Sequence, residues 1–306
     1  MKKVLSIDVG GTKISYAEMN EKGEFLGEIK RVSTPKQIDE LTALLKKIVS
    51  QNDKNVDCVA FATAGAVNLE NTGIDFAIQN MPVGYNLLEF SKLSEKPVFV
   101  ENDANAAAWA EYKVGAAIGD KNTVIITIGT GIGGGIIVDG RLLRGKSGRA
   151  GEVGSIKING RGRICTCQRK NCWESYASGT GLKRTAEEVA QNDDIFKTSI
   201  YKDKKPAEIT TYDIVDGVKQ NDEYSQKVFE IWKNDLVIGL INVMNIFDSE
   251  SIVISGGMGE CINIEEIENA VNAEIIVSPV KIKHAKAGNY AGMIGAAILS
   301  CEKLFS

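Results

Sequence analysis

Apolar positions along the chain follow two periods, every second residue and every third or fourth, and these mark out its elements. "KKVLSIDVGGTKISYAEMN" opens as an apolar strand, breaks at a glycine pair and resumes as a second strand. "GEFLGEIKRVST" predicts a third strand of the same meander. In "QIDELTALLKKIVSQ", Ile38, Leu41, Leu44, Leu45 and Ile48 recur at helical spacing and define one apolar face. "VDCVAFATAG" is a buried strand that ends in a small-residue turn. "KPVFVENDANAAAWAEYKVGA" predicts a strand running into a helix, with Asp103 and Asn105 near the start, where Asp and Asn cap well.

"NTVIITIGTGIGGGIIVDGRLLRG" repeats the opening plan of strand, glycine turn and strand, then adds "DG" as a hairpin turn. The plan thus occurs at 3–18 and again at 123–143, a weak duplication that predicts two domains of one design. Residues 174–240 read as mostly helical, with an Asp/Lys-rich connector near 192–206. "SIVISGG" is a further buried strand ending in glycines, and "NYAGMIGAAILSCEKLF" is a helix with small residues on one side.

Composition narrows the function. The chain has 306 residues, 43% hydrophobic and 25% charged, the balance of an ordinary globular protein of one large or two modest domains. A net charge of −4 offers no general attraction to a polyanion, so neither a nucleic-acid nor a membrane partner is expected. The first apolar run, Val4 to Ile7, stops at Asp8 and is too short for a signal peptide. No run approaches the roughly 18 apolar residues of a membrane span. The expected location is therefore cytoplasmic, where a cysteine cluster reads as metal-binding or incidental rather than as a disulfide framework. The 31 glycines gather at 10–11, 129–135, 145–162 and 255–259, where backbone must turn tightly or approach a ligand.

Four stretches carry candidate chemistry. In "DVGGTK", Asp8 to Lys13, two glycines after a strand let backbone N–H groups face a phosphate, and Asp8 can hold a Mg²⁺–phosphate unit through water. A plain hairpin turn explains the same residues. "TIGTGIGGG" ends with five glycines between 129 and 135, which weaken a strand unless something must come close; Thr130 suits a second phosphate contact, and a glycine-rich bulge is the alternative. Neither stretch is a Walker loop, and a strand follows the second where a dinucleotide fingerprint needs a helix. "ENDANAAAWAE" puts Asp103 at a strand-to-helix junction, placed either for general-base work or as an N-cap. "SGGMGE" is a strand end that can receive a planar adenosine.

Taken in order, these features resemble the α/β fold of the actin/hexokinase/Hsp70 type (ribonuclease H-like), a two-domain ATPase with a central cleft. "DVGGTK", "ENDANAAA", "GTGIGGG" and "CTCQRKNCWESYASG" more narrowly resemble the ROK family (repressors, open reading frames and kinases), from residue 4 to about residue 300. The resemblance implies an ATP-dependent kinase, with ATP and Mg²⁺, that phosphorylates the 6-hydroxyl of a hexose or N-acylhexosamine. It implies Asp103 as general base. Asn102, Glu152, Ser155 and Glu174, with Gly65 of "TAGAVN", would meet the sugar. Asp8, Gly10, Gly11, Thr12, Lys13, Gly129, Thr130 and Gly131 would hold the phosphates and Mg²⁺, and Gly256 and Gly257 would abut the adenosine. It further implies an N-terminal domain of 1–116 completed by 288–306, a larger domain of 117–287, and a homodimer.

"TAGAVN" lacks the proline often seen in glucokinase-like relatives and resembles N-acetylmannosamine kinases and some β-glucoside kinases. "AAAWAE" resembles some bacterial N-acetylmannosamine kinases, though glucokinases carry it too, so the resemblance implies N-acetylmannosamine as the sugar, with glucose as the close alternative. A repressor of the family would carry an N-terminal helix-turn-helix domain. With the phosphate loop starting at Asp8, none is expected. The presence of Asp103, Thr12 and Thr130 argues against a catalytically dead sugar-binding protein.

The family pattern also includes Glu-x-Gly-His, then Cys-x-Cys-Gly-x-x-Gly-Cys-x-Glu, whose histidine and three cysteines bind a structural zinc. Cys165, Cys167, Cys172 and Glu174 match. Ser155 stands where the histidine belongs, and Gln168 and Asn171 replace the two glycines. A serine hydroxyl is a poor zinc ligand. Either three thiolates and another donor hold Zn²⁺, or the loop is metal-free and packs on its own contacts. The family histidine also touches the sugar, so Ser155 bears on sugar selectivity. The single histidine, His284, reads as a surface residue, "RGRICTCQRK" as a solvated basic loop, Trp109 and Trp173 as packing, and Cys58, Cys261 and Cys301 as small core residues.

Overall fold

The computed structural model describes residues 1–76, 81–158 and 161–305. The chain begins with β1 (Lys3–Val9), β2 (Lys13–Asn20), β3 (Lys30–Ser33), α1 (Ile38–Asn52), β4 (Cys58–Thr63), β5 (Ala66–Val67), β6 (Ile74–Phe76), β7 (Val98–Asn102) and α2 (Asp103–Val114). It continues with β8 (Thr123–Ile128), β9 (Ile132–Val138), β10 (Arg141–Leu142), α3 (Glu174–Ala177), α4 (Gly179–Asn192), α5 (Thr211–Lys219), α6 (Glu223–Phe247), β11 (Ser251–Ser255), α7 (Ile264–Asn272), β12 (Lys281–His284) and α8 (Ala291–Phe305).

One five-stranded sheet has the order β3-β2-β1-β4-β7 and a second has the order β10-β9-β8-β11-β12. In the first, β1 runs antiparallel to β2 and parallel to β4, and β4 runs parallel to β7. Contacts divide the chain into two compact units. One comprises Met1–Ile125, Gly134–Gly151 and Ala285–Ser306, and the other Ile126–Gly133 and Glu152–His284.

In the first unit the two-residue period of β1 and β4 feeds two cores. Leu5, Ile7, Val9, Val59 and Phe61 face α1, which contributes Leu41, Leu45 and Ile48. Val4, Ala60 and Ala62 point to the other face and meet Met293, Ala296 and Ala297 of α8. Small residues bring α8 close: a Cβ at Gly295 would overlap the carbonyl of Ala106 in α2. The predicted third strand is shorter than "GEFLGEIKRVST". Only Lys30–Ser33 pairs continuously with β2, while Phe25 makes one isolated bridge to Met19. Gly23, at φ +78°, and Gly27 interrupt the earlier part.

The "DG" turn is formed as read: Asp139 and Gly140, at φ 49° and 71°, close the antiparallel pair Val138↔Arg141. In the second unit Trp173 is fully buried, donates Nε1–H to Asp235 O at 2.9 Å, and packs where Gly239 of α6 leaves no side chain in its way. Trp232 of α6 donates to Ser178 O at 3.0 Å. Together these seat the short α3 and the start of α4 on the long α6. Among the described residues, no helix is long and apolar enough to cross a membrane.

Candidate active site

Asp8 is half-buried and precedes the buried last residue of β1, Val9, after which the chain turns through Gly10 and Gly11. Gly10 N–H donates to Lys13 O at 3.0 Å and closes the turn. Thr34 fastens it from outside, with Oγ1 donating to Gly10 O (2.6 Å) and N–H to Thr12 O (3.0 Å), and Lys36 Nζ reaches Gly11 O at 2.9 Å. Thr12 and Lys13 stay exposed. Burial, and next the charge of Asp103, push the Asp8 carboxyl up to about 7, against the opposing pull of Lys13.

At the end of β7 the structure separates two roles that the sequence left open. Asn102, not Asp103, caps α2: its Oδ1 accepts from Ala104 N and Asn105 N, each at 3.0 Å. Its Nδ2 donates to Gly65 O at 3.0 Å, so Gly65, at φ 118°, and Asn102 are brought together. Asp103 Oδ1 accepts from Ala104 N–H at 2.9 Å. Its carboxyl lies above the ordinary value of 3.8, chiefly because burial disfavours the charge.

Behind this strand end lies a network that the sequence reading missed. Glu101, fully buried, pairs with Arg144 Nη1 at 3.0 Å. It also accepts from Asn102 N (2.9 Å), Asn105 Nδ2 (3.3 Å) and Asn71 Nδ2 (3.1 Å). Arg144 donates as well to Asn71 Oδ1 and Asn68 O, and Lys303 of α8 reaches Asn71 Oδ1 at 2.7 Å. The available signal was Glu101 itself, a carboxylate inside the apolar run "VFVE", which demands a partner.

In the second unit three loops meet. Gly129 N–H donates to Gly131 O (3.0 Å), and the N-terminal residues of α4 bond to the same turn: Gly179 N to Gly129 O (2.8 Å) and Thr180 Oγ1 to Thr130 O (2.8 Å). Met258 N–H donates to Ile128 O at 3.0 Å, which ties the Gly256–Gly257 loop to the end of β8. Gly256 has φ +88°, and a Cβ there would lie 2.5 Å from Ile128 O, whereas Gly257 is open and exposed. Glu174, first residue of α3, accepts from Ile132 N at 3.0 Å on Oε2, and from Cys165 Sγ (3.4 Å) and Thr166 Oγ1 (3.2 Å) on Oε1. A Cβ at Gly131 would overlap that carboxylate. Glu152 is exposed just before a single turn of 3-10 helix, Val153–Ser155, in which Ser155 is half-buried and donates its N–H to Glu152 O at 3.0 Å.

The three loop cysteines come together, their Sγ atoms all within 4.8 Å of one another, with Cys167 and Cys172 at 3.6 Å. Among the described residues no histidine or carboxylate joins that group. Lys157 Nζ lies 3.0 Å from Cys172 Sγ. The donor set thus supplies three of the four ligands of a closed structural zinc site and does not fit one as it stands. His284 is exposed on β12, and Cys58 and Cys301 are buried as expected, but Cys261 is exposed rather than a core residue. The reading of "RGRICTCQRK" as a solvated loop fails at Arg163, which is 7% exposed.

The two sheets and the loops at their strand ends define an α/β protein of the actin/hexokinase type. The chain belongs to the ROK family, whose model matches residues 4–303. It is 31% identical to a glucokinase of Streptomyces coelicolor, with 97% of each chain covered. It is 30% identical to an N-acetylmannosamine kinase of Yersinia pestis, with 97% of this chain and 98% of that one covered. Among solved structures it resembles a ROK family glucokinase from Streptomyces griseus in complex with glucose and AMPPNP. That match has a TM-score of 0.78 and 29% identity over 97% of this chain and 98% of the other.

Proposed function

We propose that the chain is an ATP-dependent sugar kinase that phosphorylates the 6-hydroxyl of a hexose or N-acylhexosamine, with N-acetylmannosamine as its preferred sugar. The observation that carries the reading is the division of labour at the end of β7. Asn102 caps α2 by accepting from two N–H groups, while the half-buried Asp103 carboxylate accepts from Ala104 N–H through Oδ1 and holds a raised proton affinity suited to a general base. Asp103 accepts the proton of the sugar 6-hydroxyl as that oxygen forms its bond to the γ-phosphorus. The bond from the γ-phosphorus to the β–γ bridging oxygen breaks, and ADP carries away the electron pair.

Mg²⁺ enters as part of the ATP substrate. Asp8 fits it chemically, because the mutual repulsion of the Asp8 and Asp103 charges falls when a cation is bound. The backbone of Gly10, Gly11, Thr12 and Lys13, and that of Gly129, Thr130 and Gly131, is assigned to the phosphates, and Gly256 and Gly257 to the adenosine. Asn102, Glu152, Ser155, Glu174 and Gly65 are assigned to the sugar. Glucose is the second reading, favoured by the likeness to the Streptomyces coelicolor glucokinase. An ADP-release assay over a sugar panel tests both readings. Faster turnover of glucose than of N-acetylmannosamine would overturn the preferred sugar, and no turnover of any hexose would overturn the kinase reading.

A further inference from the structure

The Cys loop matches the family's zinc loop but lacks a closed donor set, so something else must hold it. Its own backbone folds as a small hairpin: Cys165 N–H donates to Arg169 O (2.8 Å), Gln168 N–H to Cys165 O (2.9 Å) and Asn171 N–H to Arg163 O (2.9 Å). Gln168 and Asn171, which replace the family glycines, take φ values of 65° and 62°, so the loop keeps its left-handed turns without them. Arg184 Nη1 donates to Ile164 O at 2.7 Å and Tyr176 Oη to Asn171 Oδ1 at 2.9 Å, but the side chain that makes the most bonds from this hairpin to the rest of the unit is Arg163.

Arg163 uses every N–H of its guanidinium. Nε donates to Glu188 Oε1 at 2.8 Å, and Nη2 donates to Glu188 Oε2 at 2.6 Å and Thr185 Oγ1 at 2.8 Å. Nη1 donates to Ser175 O at 3.0 Å and Gly181 O at 3.3 Å. The plane also lies 4.7 Å from the Tyr176 ring, and the Arg163 backbone N–H donates to Tyr176 Oη at 3.1 Å. Ser175 and Tyr176 belong to α3, and Gly181, Thr185 and Glu188 to α4. A four-residue helix such as α3 has no stability of its own, so its direction is set from outside. Glu174 is its first residue, and the hairpin that Arg163 anchors carries two of the donors on Glu174, Cys165 Sγ and Thr166 Oγ1.

We propose that Arg163 is the positioning residue that fixes Glu174, doing in this chain, without a metal, what a closed zinc site would do for the loop. The proposal rests on the kinase reading only in assigning Glu174 to the sugar. Lysine cannot replace the guanidinium, because it has three donors and no planar fork.

The test uses the full-length protein, with R163K and the milder E188Q. Three measurements apply: sugar and ATP KM and kcat, Tm, and hydrogen exchange across residues 174–180. R163K is expected to raise the sugar KM about tenfold, the loss of a charged hydrogen-bond set, with the ATP KM nearly unchanged well below Tm. Exchange across 174–180 should accelerate. E188Q should shift both in the same direction by less. Combining R163K with E174Q should raise the sugar KM no further than E174Q alone, because one acts through the other. Wild-type protein stripped with a zinc chelator and returned to excess Mg²⁺ should match untreated protein. Chelation that reproduces the R163K effect would overturn the proposal in favour of zinc, and additive effects of R163K and E174Q would overturn the link to Glu174. If the wild type turns over no sugar, the kinase reading fails, while the exchange measurement still decides whether Arg163 or a metal holds α3.

Discussion

After β1 the chain turns at Gly10–Gly11, and after β8 it turns at Gly129–Gly131. The two turns read as one motif, yet their glycines answer different demands. Around Gly10 there is little to avoid: a Cβ would meet only Lys13 O, at 3.2 Å. The turn is fastened by Thr34 and Lys36, and its setting is electrostatic, with Asp8 and Asp103 each raising the energy of the other's charge. In the second turn, Gly129 faces open space while Gly131 is filled by the Glu174 carboxylate. A run of glycines therefore mixes positions that face open space with positions kept clear for the protein's own side chains. Only the fold tells them apart.

The sharpest break of this contrast is at the carboxylates beside the first turn. D103N should lower kcat/KM by about 10²–10⁴-fold, the range of a lost general base. In the wild type, kcat/KM should fall on acidification with a midpoint above the ordinary carboxylate range, since Asp103 must be ionised and its proton affinity is raised. The stability effect has the opposite sign. A carboxyl whose folded pKa exceeds its unfolded value binds more protons when folded, so stability falls as pH rises from the ordinary 3.8 through the folded value, and the cost is complete above it. D103N should accordingly raise Tm at neutral pH, and the gain should vanish below the unfolded value. A pH series of melts and initial rates checks both signs. A D103N protein that keeps its rate would remove the first turn's claim to the chemistry.

The next effect tests how the same region is held from behind. R144M leaves the fully buried Glu101 without its cation and should cost about 3 kcal/mol in urea denaturation. Because Glu101 also accepts the Asn102 N–H, kcat should fall along with stability. Loss of stability with unchanged kcat would show that the network only supports the fold.

Legibility followed sequence distance. The strand–turn–strand plan, the helix faces and the "END" junction could be read because their determinants are neighbours in the chain. Even there, the cap fell to Asn102 rather than Asp103 or Asn105, since its side chain reaches the N–H groups two and three residues on. Arg163 could not be read, because the partner that makes it a buried anchor, Glu188, lies 25 residues away behind an unremarkable helical pattern. Arg144 is less visible still, its bond to Asn68 spanning 76 residues. The cysteine cluster was legible as a cluster but not as a donor set, because counting thiols does not show what stands at the fourth position.

The smallest effects are the most informative about the two turns, because they set two neighbouring glycines against each other. G131A drives a methyl group into the Glu174 carboxylate, so either the bond from Ile132 N–H or the turn must give way. This overpacking should cost about 1–3 kcal/mol in Tm-derived stability and should disturb the sugar KM through Glu174. G129A adds its methyl to open space and keeps both backbone bonds of the turn, so stability should be unchanged or slightly higher. Its expected cost lies with the ligand: a methyl where a phosphate must approach should raise the ATP KM roughly fivefold, the equivalent of one neutral hydrogen bond. Melting curves and ATP titrations of the two variants, measured side by side, resolve the question. If G129A leaves the ATP KM untouched, the second turn serves only to seat Glu174 and α4, and the phosphates depend on the first turn alone.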